Sequence, residues 1–170
     1  LLRRCPRFRT RTGFIGRRLL GFAGRSEKRD AAVEALKVMD AERRERIVRR
    51  WFDMWVKGTD TGIAEIFSPD VHYIESWGPE YRGAGEVKRW FDEWNTRGRV
   101  VAWNIGRYMH GEDRTVVEWF FESRMNDGGG DTFDGVSLVG WTPEGKIGFV
   151  KEFGCNVDRY DPYGDGDEKP

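Results

Sequence analysis

Residues Phe67 to Gly83 read F-S-P-D-V-H-Y-I-E-S-W-G-P-E-Y-R-G, a short strand followed by turns at Gly78-Pro79 and Arg82-Gly83. Side chains of a strand alternate between its two faces. Val71, Tyr73, Glu75 and Trp77 therefore share one side, and His72, Ile74 and Ser76 share the other. A carboxylate between Tyr and Trp is costly to bury unless it is paired or protonated. Glu75 is thus either an acid/base group in a pocket or a rim residue reaching water. His72, on the opposite face, reads as structural.

The segment upstream is helical. From Ala31 to Lys57, Ile47, Trp51 and Trp55 recur every four residues, with Val48, Phe52 and Val56 beside them, and together they form a wide apolar stripe. The charged run Glu42 to Arg46 reads as a solvated helix surface, and Gly58 as the helix stop. A short second helix is expected over Thr61 to Phe67, and Ser68-Pro69-Asp70 is expected to turn the chain into the strand. Downstream, Val87, Trp90, Phe91 and Trp94 return to helical spacing. Four strands follow, Val100 to His110, Thr115 to Met125, Thr132 to Trp141 and Lys146 to Cys155, separated by turn-forming residues. Helices first and hairpin-linked strands after them is an α+β arrangement, helices packed on one side of an antiparallel sheet.

The middle strands are apolar on both faces. Val117, Trp119 and Phe121 lie opposite Val116 and Phe120, and Phe133, Val139 and Trp141 lie opposite Val136 and Leu138. A sheet with one wet face alternates cleanly. The outer face is therefore expected to be covered, most economically by a second copy in a homodimer.

Composition narrows the class. The chain has 170 residues, 14% of them aromatic including 8 Trp, enough for one domain with a bulky core. No apolar run nears the ~20 residues that span a bilayer. Cys5 and Cys155 make no disulfide framework and suit a reducing, cytoplasmic setting. No metal-ligand spacing, phosphate cradle or calcium loop is present, so neither a metal nor a cofactor is expected. The zero formal net charge hides an asymmetry, because residues 1–30 carry 10 Lys and Arg against Glu27 and Asp30. This basic leader could be a targeting segment, a nucleic-acid arm or an extension without a role in the fold. The last reading is preferred, with Met39 as a possible start and nucleic acid ranked last. The expected organisation is a basic extension over 1–38, one domain over 39–157 and a polar tail over 158–170.

The order of elements, together with I-A-E-I-F-S-P-D-V, Y-R-G and P-E-G-K-I, resembles the nuclear transport factor 2-like superfamily, and within it the SnoaL-like branch. The resemblance runs from about Met39 to Cys155. It implies a cone, a curved sheet wrapped around the helices with a pocket at its open end. It also implies chemistry of the kind found in steroid isomerases, polyketide cyclases, epoxide hydrolases and dehydratases, beside members with none known.

Position by position, the resemblance puts Glu75 where the similar steroid isomerases keep a general-base carboxylate. Ser137 falls where they place an oxyanion-hole Asp, and Trp51 where they place the matching Tyr. Neither is the acidic donor that enolate stabilisation uses, so steroid isomerisation itself is disfavoured. Trp119, Phe133 and Glu152 are implied to face the pocket, whereas the apolar pattern of the last strand would bury Ile147, Phe149 and Phe153 and turn Glu152 outward. If Glu152 faces Glu75, the two carboxylates form an acid/base pair. Tyr73, Trp77, Tyr81 and Trp103 are candidates for an aromatic lining. His110, at a hairpin end, lies at either the pocket mouth or in solvent, and Glu118 leans outward. Two classes stand open. One is a cofactor-independent isomerase, cyclase or lyase acting on a small hydrophobic carbonyl or ring compound. The other is a non-catalytic ligand-binding, dimerisation or protein-docking domain.

Overall fold

The computed structural model describes residues 41–161 and Tyr163. The basic leader, Met39, the expected helical turns before Ala41 and most of the polar tail lie outside the described residues. Helix α1 (Ala41–Lys57) buries Arg44, Val48, Trp51, Phe52, Met54 and Trp55, the i, i+3, i+4 spacing of one face. Gly58, at φ 60, takes the left-handed conformation that closes the helix. The charged run near the start of α1 is not all solvated. Arg44 is 3% exposed and donates to the carbonyls of Gly111 at 2.9 Å and Glu112 at 2.8 Å. A guanidinium presents several donors in one plane, so it fastens the helix to the β-turn across the core.

Asp60 accepts from the backbone N–H of Gly62 at 2.7 Å and Ile63 at 2.8 Å, opening the one-turn helix α2 (Ile63–Ile66). Strand β1 (Phe67–Ile74) starts at once, so the turn expected at Ser68-Pro69-Asp70 is an irregularity inside the strand. Its pairing with the last strand breaks between Phe67 and His72. Pro69 lies in that gap, where its missing N–H costs no ladder bond. The turn-rich W-G-P-E-Y-R-G stretch holds a further short strand, β2 (Glu80–Arg82), antiparallel to β1 with Tyr73 opposite Tyr81. Helix α3 (Ala84–Asn95) follows and buries Val87 and Phe91.

Strands β3 (Gly98–His110), β4 (Arg114–Met125), β5 (Thr132–Trp141) and β6 (Ile147–Asn156) form consecutive antiparallel hairpins. The six strands are ordered β2-β1-β6-β5-β4-β3. The sheet is mixed rather than wholly antiparallel, because β6 returns beside β1 and runs parallel to it. That pairing joins the two ends of the domain and leaves no hairpin signal in the sequence. β3 is bulged between Val100 and Ala102 and between Ile105 and Arg107, and such bulges bend a strand.

The inner face carries the core. Val117, Trp119, Val139, Trp141 and Val150 pack with Trp51, Trp55 and Phe91 of the helices. On the outer face Val116, Phe120, Val136 and Leu138 are half-buried, while Phe153 is exposed. The direction of β6 follows from one residue. Gly140 pairs with Phe149 and Trp141 with Ile147, so Gly148 is skipped. A one-residue slip exchanges faces. Ile147 points in, and beyond the slip Val150 and Glu152 point in as well, while Phe153 points out. The apolar pattern of this strand was therefore misleading for Glu152 and Phe153.

Candidate functional site

Glu75 lies one residue past the end of β1 and is 4% exposed. Its backbone N–H donates to the Pro79 carbonyl at 2.9 Å, which fixes the start of the turn to β2. Tyr81, on β2, donates its hydroxyl to Glu75 Oε1 at 2.5 Å and stacks on Trp90 with ring centroids 4.6 Å apart. Glu152 is 7% exposed and receives the Tyr73 hydroxyl on Oε1 at 2.5 Å. Tyr73 in turn accepts from Trp51 Nε1 at 3.4 Å. Ser137, opposite Glu152 across the sheet, bonds to it and accepts from Trp119 Nε1 at 2.9 Å.

The two carboxylates meet at a cavity of about 30 Å³ walled by Trp55, Trp77, Trp90, Trp94, Trp103, Trp119, Phe121 and Phe133. A void of that size takes about one water molecule, well short of the ~300–1,000 Å³ of an ordinary ligand pocket. Trp77 and Phe133 also border an outer hollow of about 460 Å³, so the two rings partition it from the cavity. A larger depression, about 650 Å³, lies on the outer sheet face between Arg107, Glu118, Asp134 and Arg159. Its charged groups are paired, Arg107 with Glu118 at 2.5 Å and Arg159 with Asp134 at 2.9 Å, and neither inner carboxylate borders it.

Burial sets the electrostatics. It raises the Glu75 carboxyl to about 7, against a smaller downward pull from the Tyr81 hydrogen bond. It raises Glu152 to about 8, opposed by the hydrogen bonds of Tyr73 and Ser137 and reinforced by the charge of Glu75. The Tyr73 hydroxyl is pushed far up by burial and by the adjacent Glu152, and Tyr81 is pushed up by burial and by Glu75. Among the described residues no Arg, Lys or His shifts either carboxylate. Near neutral pH the pair thus holds protons in place of a counter-ion.

The candidate residues read from the sequence fall into three groups. Glu75, Glu152, Trp77, Trp119 and Phe133 border the cavity. Trp77 does so from the turn rather than from the strand, with 63% of its surface exposed. Tyr73, Trp51 and Ser137 are not on the wall. They stand behind Glu152, with the Trp51 N–H and the Ser137 hydroxyl committed inside the protein. His110 is not at the mouth either. It faces Thr115 Oγ1 at 3.0 Å and Glu45 Oε1 at 3.3 Å beside α1, because the β3 bulges set the register of that strand end. His72 faces Glu80 at 2.7 Å, on the other side of β1. The wall residues not assigned from sequence, Trp55, Trp90, Trp94 and Phe121, carried a usable signal. Trp51/Trp55 and Trp90/Trp94 are four-residue pairs on two helices, and Trp55, Trp90 and Trp94 all reach the void. Among the described residues no group of three His, Cys, Asp or Glu is placed to hold a metal ion, and no helix is long and apolar enough to cross a membrane.

Comparison with known proteins agrees with this architecture. No curated protein matches the sequence. Solved structures do match the fold. A protein from Catenulispora acidiphila with a ketosteroid isomerase-like fold, crystallised with trimethylamine, is 16% identical and has a TM-score of 0.54, over 63% of this chain and 83% of its own. A nuclear transport factor 2-like protein of unknown function from Burkholderia pseudomallei is 16% identical with a TM-score of 0.56, over 69% and 92%. A steroid delta-isomerase from Pseudomonas aeruginosa is 15% identical with a TM-score of 0.51, over 71% and 84%. At such identities the likeness extends to the fold alone. The model of the SnoaL-like domain matches residues 48–148, more than half of the chain, and the protein belongs to the SnoaL-like domain family.

Proposed function

We propose that this SnoaL-like domain binds a small molecule in the tryptophan-walled cavity and moves a proton on it with Glu75 as base. The observation that carries the reading is the pair of buried carboxylates, Glu75 and Glu152, at the edge of an otherwise aromatic void. Glu75, raised to about 7, is about half ionised at neutral pH, where a general base is most effective. Glu152, raised to about 8, is mainly protonated there and acts as the acid partner. Trp55 and Trp103 line the cavity, and their buried indole N–H groups have no acceptor among the described residues. They are the donors available to a carbonyl oxygen, in place of Trp51 and Ser137. The small volume favours a compact ligand over a fused-ring steroid, and the fold relative crystallised with trimethylamine is a parallel in ligand size. The same reading includes a homodimer formed through the outer sheet face.

The test is exchange of α-protons of small ketones and diketones into D2O, followed by proton NMR. Exchange of at least one compound by the wild-type protein, reduced by about 10²–10⁴-fold in Glu75→Gln, is the expected result. Exchange by both proteins at the same rate contradicts the role of Glu75. The second reading, a binding domain without turnover, is favoured by the tightness of the cavity, and predicts ligand binding with no exchange on any compound.

A further inference from the structure

The geometry points to a small organic cation, a methylated or protonated ammonium head group, as the ligand class of the cavity formed by the tryptophan rings with Glu75 and Glu152. This rests on the reading of that cavity as the ligand site, in its form as a binding domain without turnover, and goes beyond it by fixing the ligand's charge. Among the described residues the wall holds six tryptophans, two phenylalanines and two glutamates, with no Lys, Arg or His. Tryptophan faces present the negative part of their quadrupole, and a cation within about 6 Å of such a face is held, most strongly where water is excluded.

The carboxylates add a second, independent reason. Their hydrogen-bond partners are neutral hydroxyls, Tyr81 for Glu75, and Tyr73 and Ser137 for Glu152. Elsewhere the chain pairs its acids with arginine, as Arg107 with Glu118 and Arg159 with Asp134. Buried acids without a counter-ion are strongly disfavoured as anions, and without a bound cation protons supply the positive charge. A ligand cation replaces those protons. Among the described residues the groups facing the pair are Tyr73 from β1, Tyr81 from β2, Ser137 from β5 and the indoles of α1 and α3, none of which is cationic. Binding therefore releases protons and tightens as pH rises through the range in which the pair ionises. A void of about 30 Å³ is smaller than such a head group, so binding requires the wall to open, and Trp77, largely exposed on its turn, is the ring freest to move.

The experiment compares choline with its neutral isostere 3,3-dimethylbutanol, binding to the full chain being followed by titration calorimetry and tryptophan emission at pH 8.5 and pH 6.0. The expected result is choline bound at least tenfold more tightly than the alcohol at pH 8.5, with that preference reduced at pH 6.0. Glu152→Gln, checked for folding by circular dichroism, is expected to lower choline affinity tenfold or more and to leave the alcohol nearly unchanged. Equal or tighter binding of the alcohol overturns the cation assignment and leaves the cavity as a ligand site. Binding of neither compound at millimolar concentration overturns the assignment and also counts against the cavity as a ligand site. Should Glu152→Gln fail to fold, the two-pH comparison on wild-type protein decides alone.

Discussion

Glu152 and Glu75 are held at about 8 and about 7, above the ordinary carboxylate value, because burial penalises the anion. The consequence for stability has a definite sign. With folded values above the unfolded 4.5, the native state binds more protons than the unfolded chain over the range between them. Their contribution is fully present below about pH 4.5 and is lost as pH rises through about 7 and about 8. Each pKa unit corresponds to about 1.4 kcal/mol. Glu152→Gln is accordingly expected to flatten the fall in melting temperature between pH 5 and pH 9, and an unchanged slope would count against the buried pair. Gly135 gives a second prediction at this scale. A Cβ there would stand 2.3 Å from the Trp119 ring and 2.7 Å from the Phe153 carbonyl. Gly135→Ala should cost about 1–3 kcal/mol, measured by urea unfolding, with a shift in tryptophan emission. The sequence made Glu75 visible as an isolated acid among aromatics, but nothing local to Gly135 marked it as the space for an indole.

At the scale of elements, the helices and the four long strands could be read from periodicity, because each buries one face. What escaped was set by contacts distant in sequence. Arg44 looked like one more charge in a solvated run, yet it spans the core to the carbonyls of Gly111 and Glu112. Arg44→Ala removes both charge-assisted hydrogen bonds and the packing of a buried side chain, and should destabilise the domain by about 1–3 kcal/mol. Arg44→Lys, a point donor in place of a planar fork, should recover only part of this in the same unfolding assay. β6 escaped for a different reason. Its period is regular on either side of Gly148, and only the skipped residue turns Glu152 inward. A bulge of this kind leaves a glycine in the sequence and no other sign. Trp77 belongs to a turn in which Gly78 adopts φ 120, so strand alternation did not apply to it.

For the whole molecule, the order of elements was enough for the α+β class and the family resemblance, while the parallel closure of β6 on β1 depended on long-range pairing. The outer face keeps Phe153 exposed, at 48%, next to half-buried Val136 and Leu138. If a second copy covers this face, Phe153→Asp should convert a dimer to a monomer in sedimentation velocity without altering the circular dichroism spectrum. A wild-type monomer at high concentration would remove the proposed assembly and leave the cavity intact, since the two lie on opposite faces of the sheet.

Both the proton-transfer and the cation readings require that the two acids sit together in a dry aromatic interior. The most direct measurement is a carbon-13 NMR titration of the glutamate side-chain carboxyls, assigned with Glu75→Gln and Glu152→Gln. Midpoints of about 7 for Glu75 and about 8 for Glu152 are the predicted result. Midpoints near 4.5 for both would contradict it, placing the carboxylates in contact with bulk water.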